Sequence, residues 1–110
     1  MKRKREAFET LLLEAVDEAL ASLGDSARQA IYYHLEDKFK ITKKEIPNRL
    51  KDFTDGLEKI FGLGARFIEI LIMKKLYEKI GHPLQWNESK ELVFFDYVAA
   101  AKQSFQKKKA

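Results

Sequence analysis

Helical periodicity, interrupted by a few firm breakers, is the feature that most limits how this chain can fold. Gly24, Pro47, Gly62, Gly64 and the run Gly81-His82-Pro83 divide the 110 residues into stretches long enough for several helical turns. Between these breakers, apolar residues return at intervals of three and four rather than two, which is the spacing of a helix with one buried face. With 45% hydrophobic residues, 35% charged residues, 5 glycines and 2 prolines, the composition is that of one folded domain, not of a linker or a disordered tail. The expected fold class is all-α: a single-domain helical bundle over residues 1–110, with four main helices plus a shorter C-terminal helix. The charged ends at 1–5 and 106–110 are expected to fray.

The first helix is expected at about 6–23, with Phe8, Leu12, Ala15, Val16, Ala19 and Leu23 inward. Gly24 supplies a left-handed stop, and Asp25 or Ser26 a cap for the next helix. That second helix, about 26–40, turns Ala27, Ala30, Ile31, Leu35 and Phe39 inward. Thr42-Lys43-Lys44-Glu45 has the spacing of a capping box, but Pro47 follows so closely that only one turn, 43–46, is expected. A third helix at about 49–61 buries Leu50, Phe53, Leu57, Ile60 and Phe61.

The fourth helix, about 65–80, is expected to be central. Counting 100° per residue, Phe67, Ile68, Leu71 and Ile72 cover one side of its first half, with Arg66 and Glu69 opposite. Met73, Leu76, Tyr77 and Ile80 then cover nearly the reverse side of its second half. An apolar side that swings round midway suits a helix enclosed from two directions. Residues 84–94 show no clean period and are left open between extended and helical. A last helix at about 95–106 uses Phe95, Val98, Ala99 and Phe105.

Charge narrows the function classes. The net charge is +4, with an isoelectric point near 9.2. Seven cations lie at the ends: Lys2, Arg3, Lys4, Arg5, Lys107, Lys108 and Lys109. Without them, 14 basic residues face 17 acidic ones, so the body is net acidic. A nucleic-acid reading therefore depends on the basic ends and on a helix-turn-helix-like segment at 31–53, where Lys43, Lys44, Arg49 and Lys51 would face phosphates. Pro47 interrupts the recognition helix of such a segment. The acidic residues after Lys2–Arg5 break the apolar run a secretory leader needs, and no stretch has the length of a membrane span. With no cysteine, disulfides, thiolate metal sites and cysteine nucleophiles are excluded, and a cytoplasmic protein is expected.

No catalytic constellation can be assembled. His34 shares a helix face with Asp37 and Lys38, but a metal site needs three or four ligands; no metal or other cofactor is expected. His82 lies in a turn before a proline. Ser22, Ser26, Ser89 and Ser104 occupy no strained nucleophile turn, and Gly62-Leu63-Gly64 lacks the third glycine and preceding strand of a dinucleotide loop. Glu69 stands apart because it sits among Phe67, Ile68, Ile70, Leu71 and Ile72. It either pairs with Arg66 three residues earlier or faces a partner surface or a second copy of the chain.

Beyond periodicity, an ordered series runs through the chain: Ile31-Tyr32-Tyr33-His34-Leu35, Phe39, Glu45-Ile46-Pro47, Leu57-Glu58-Lys59-Ile60-Phe61-Gly62, Ile68-Glu69, Lys75-Leu76-Tyr77-Glu78 and Asp96-Tyr97-Val98. Over about residues 11–103 it resembles the small archaeal family of Nitrosopumilus output domains (NitrOD-type). The resemblance implies a helical domain that occurs alone or at the effector end of signalling chains, with no assigned reaction and no functional residues to transfer. Lacking a receiver domain, such a chain would take its input from another protein. Abundant Lys and Glu agree with a heat-adapted source.

The expected function is non-enzymatic: a protein-interaction module, a signalling output or adaptor domain, acting on an unidentified protein partner or as a homodimer. Tyr32, Tyr33, Glu69, Trp86 and Tyr97 are the candidate contacts, because aromatic residues concentrate at interfaces.

Overall fold

The computed structural model describes residues 4–81 and 94–109. They form five α-helices: α1 (Lys4–Ala21), α2 (Asp25–Phe39), α3 (Leu50–Phe61), α4 (Ala65–Ile80) and α5 (Phe94–Lys109). Two 3-10 helices, Lys43–Asn48 and Gly62–Gly64, join α2 to α3 and α3 to α4. No strand occurs among the described residues. The all-α bundle expected from the sequence is what the structure shows, and α5 runs further in both directions than the expected 95–106.

Local chemistry explains each boundary. α1 stops at Ala21, where the Ser22 hydroxyl donates to the Ala19 carbonyl at 2.6 Å; Leu23 lies beyond the helix and is exposed, not inward. Gly24 has φ +108°, a conformation that side chains oppose, and it precedes α2 directly. Neither Asp25 nor Ser26 caps α2. Asp25 lies inside the first turn, where its charge suits the helix dipole and its carboxylate accepts from Arg28 and Gln29. Ile31 and Leu35 are buried and Ala27 and Phe39 half-buried, whereas Ala30 is exposed, contrary to expectation. At the end of α2, Lys40 adopts φ +58°, and the Ile41 amide donates back to the Leu35 carbonyl at 3.0 Å. That reversal drops Ile41 into the core.

The Thr42 amide and hydroxyl both donate to one Glu45 carboxylate oxygen, at 2.9 and 3.0 Å. The turn they start continues past the expected 43–46 as a 3-10 helix through Pro47 to Asn48. A 3-10 turn tolerates proline's fixed φ, and Ile46 anchors it in the core. In α3, Leu50, Phe53 and Leu57 are buried and Gly56 faces α2; Ile60 is only half-buried and Phe61 is exposed.

α4 is the central helix, packed against α1, α3 and α5. Its apolar face does not swing round. Ala65, Ile68, Glu69, Ile72, Met73, Leu76, Tyr77 and Ile80 form one continuous inward stripe at helical spacing. Two residues break the expected pattern: Phe67 points out and Glu69 points in. α5 is likewise rotated from expectation, burying Phe94, Val98, Ala101 and Phe105 while Phe95 and Ala99 face outward. The Phe8 and Phe105 rings meet with centroids 5.9 Å apart, and the Tyr77 hydroxyl donates to the Tyr97 carbonyl at 2.8 Å, tying α4 to α5.

Candidate functional site

Two of the five expected contact residues, Tyr32 and Tyr97, are engaged within the fold. Tyr32 is half-buried, and its hydroxyl donates to Asp17 at 3.0 Å. Burial, and the Asp17 charge beside it, push its phenol well above the usual range. Asp17 also receives Arg28 and Lys43, each at 3.2 Å, so one α1 carboxylate clasps α2 and the following 3-10 helix. Burial opposes ionisation of Asp17, but the Lys43 and Tyr32 hydrogen bonds and the two cations outweigh it and hold the carboxyl below its ordinary value. Tyr97 is half-buried against the core, Tyr33 is exposed with its ring edge against His34, and Trp86 lies outside the described residues.

The cations of the nucleic-acid reading are distributed in the same way. The Lys43 ammonium also sits 5.1 Å from the Tyr32 ring centroid. Arg49 bonds Asp52 at 3.1 Å and the Lys40 carbonyl at 2.6 Å, and lies 3.7 Å from Glu45. Lys51 lies over the Phe95 ring, and Lys44 is exposed with no ion pair among the described residues. Four cations free to face one groove are not what this arrangement offers.

A groove of about 330 Å³ opens between α1, the Lys43–Asn48 helix, α3 and α5. Phe8, Leu12, Leu50 and Val98 contribute its apolar floor, with Glu9, Asn48 and Lys102 among the polar residues that line it. Among the described residues no hydroxyl or imidazole lines it, and no group of three or more His, Asp or Glu among them could hold a metal ion. Nor is any helix among them long and apolar enough to cross a membrane.

The surface with the clearest unmet need lies at the α3–α4 junction. Leu63, held between Gly62 and Gly64, is 97% exposed; Phe67 is 56% and Phe61 38% exposed. Because the Gly62–Gly64 turn runs straight into α4, Leu63 and Phe67 are four residues apart on one outward face, and half-buried Ile70 continues it. Phe61 adjoins them: its Cβ is 3.6 Å from where a Cβ on Gly64 would stand. Such a cluster of large apolar side chains differs from the scattered apolar residues of an ordinary surface.

Charged groups stand beside it. Glu69 is only 7% exposed and makes no hydrogen bond or ion pair among the described residues, so the expected pairing with Arg66 does not form. Burial, with the like charge of Glu58 on α3, pushes its carboxyl up to about 7, against a smaller downward pull from Arg66. Glu58 and Arg66 are both exposed and close no ion pair among the described residues.

Sequence reasoning singled out Glu69 but missed the other members of this surface. The apolar pattern alone places Phe61 and Phe67 inward, and Leu63 stands out only as part of an incomplete nucleotide loop. The available signal was the eight-position stripe from Ala65 to Ile80, which excludes Phe67 once Glu69 is allowed inside. Compared with known protein families, characterised proteins and solved structures, the chain matches none.

Proposed function

We propose that this chain is a non-catalytic protein-contact module of the output or adaptor kind, working through the outward face of the α3–α4 junction. The observation that carries the proposal is Leu63, a large apolar side chain left almost wholly in water between two glycines. Burying a leucine stabilises by about 1.5–3 kcal/mol, and folding leaves that contribution to whatever covers the junction. The flanking Phe61 and Phe67 supply the aromatic area that anchors protein contacts. The resemblance to output domains agrees with this role. The intramolecular engagement of Lys43 and Arg49 favours it over nucleic-acid binding.

The test compares the immobilised wild-type chain with Leu63→Glu in native extract. The wild type is expected to retain a defined protein that the variant loses, while both unfold at the same urea midpoint. Equal retention by the two chains would overturn the assignment of this face.

A further inference from the structure

Away from the junction, we infer that the groove between α1, the Lys43–Asn48 helix, α3 and α5 binds an amphipathic anion: a straight-chain carboxylate whose apolar tail lies along the floor and whose charged end meets Lys102. The two surfaces are separate, since Leu50 lines the groove at the first residue of α3 and Phe61 lies at the last. That is about 16 Å along the helix. The lining of the groove divides by chemistry. Phe8, Leu12, Leu50 and Val98 are each no more than 8% exposed and make a closed apolar floor. Phe95 and Ala99, both exposed, make an open wall on α5. The same face of α5 reaches a cation at Lys102, two turns or about 10 Å beyond Phe95. Phe8 and Leu12 lie one turn apart on α1, so the lining is elongated. At about 30 Å³ for a water-sized group, the 330 Å³ of the groove takes a chain of about ten non-hydrogen atoms.

The sign of the ligand's charge follows from which polar groups are already engaged. Glu9, the one carboxylate of the lining among the described residues, has a partner. Lys102 is half-buried and closes no ion pair among the described residues, and the Asn48 carboxamide makes no hydrogen bond among them. Beside the open wall stands a second cation. The Lys51 ammonium lies 5.6 Å from the Phe95 ring centroid and likewise closes no ion pair among the described residues. The groups left to bind are two ammoniums and an amide donor around an apolar floor. A carboxylate accepts from such donors through charge-assisted hydrogen bonds, while its tail takes the floor out of water. A cationic amphiphile would be repelled by both lysines, and a neutral one would leave Lys102 without an acceptor. One lining lysine beside Glu9 also suits a single negative charge better than the double charge of a phosphate.

The experiment is an amide chemical-shift titration of the full chain with sodium decanoate, with octanoate and decan-1-ol as comparisons and two variants. Saturable shifts are expected at the groove residues of α1, α5 and the Lys43–Asn48 helix. Octanoate, shorter by two methylenes, should bind about 10-fold more weakly. Lys102→Gln should weaken decanoate by at least ~5-fold and leave the alcohol unchanged. Ala99→Phe fills the groove from an exposed position and should weaken both ligands by at least ~10-fold. Helicity and the urea midpoint control for folding in both variants. A wild type without saturable shifts at millimolar decanoate overturns the site. So do shifts centred on Leu63 and Phe67, or an Ala99→Phe chain that binds as the wild type does. A Lys102→Gln chain that keeps its decanoate affinity, or loses decanoate and decanol alike, overturns the anion assignment. None of these outcomes bears on the comparison with Leu63→Glu, so the groove and the junction stand or fall separately.

Discussion

Glu69 shows how one residue can be conspicuous in a sequence and still be misplaced. Its setting among isoleucines and leucines marks it as unusual, but charge alone assigns it to the polar side of α4. The structure puts it in the inward stripe, near Glu58, with no bonded cation among the described residues. Its carboxyl ordinarily loses its proton near 4.5, whereas in the fold it does so at about 7. The neutral form is therefore the one the fold favours. The corresponding stability is fully present below the ordinary value and is lost as pH rises through about 7, by up to about 3 kcal/mol. Glu69→Gln, neutral at every pH, should match the wild type near pH 4.5 and exceed it at pH 8 in urea unfolding. Parallel pH profiles for the two chains would contradict this account.

At the scale of the element, breakers fixed lengths better than periodicity fixed faces. The 65–80 helix was readable to the residue because Gly64 and Gly81 bracket it. Its orientation was not, because an apolar residue on the outside looks the same in sequence as one on the inside. α5 makes the same point: two adjacent phenylalanines start it, and only packing selects Phe94 over Phe95. Gly56 is silent in the sequence for a second reason, since a close approach between helices leaves no periodic trace. A Cβ added there would lie 2.8 Å from Leu35 Cδ2 and 3.3 Å from Phe39 Cδ2, and Leu35 is itself fully enclosed. Gly56→Ala gains about 1 kcal/mol of helix propensity against about 1–3 kcal/mol of overpacking. A net loss of about 1 kcal/mol is expected from chemical denaturation, and a more stable variant would show that α2 yields easily.

For the whole molecule, the arrangement around α4 sets the order in which parts open. α1 and α5 bind one another through Phe8 and Phe105 and both pack on α4, while Lys79 on α4 pairs with Glu14 and Glu18 on α1. Exposed pairs of that kind contribute little individually, so most of the resistance to opening comes from the buried stripe. Amide hydrogen exchange should therefore be slowest in the second half of α4, at rates set by global unfolding, and faster in α2, whose outer residues are exposed. Rapid exchange at Met73 and Leu76 would be incompatible with this packing. The expectation of a helix enclosed by its neighbours thus holds, though it came from a swing of the apolar side that does not exist.

The glycine-framed Leu63 also separates two properties that many small domains confound. Its methyl groups contribute almost nothing to holding this chain together, since almost all of that side chain stays in water. On the contact role proposed for this face, variation at that position would tune attachment, from adhesive to inert, while the heat tolerance of the fold stays constant. A lineage could gain or lose a companion there by single steps, with no intermediate that fails to fold.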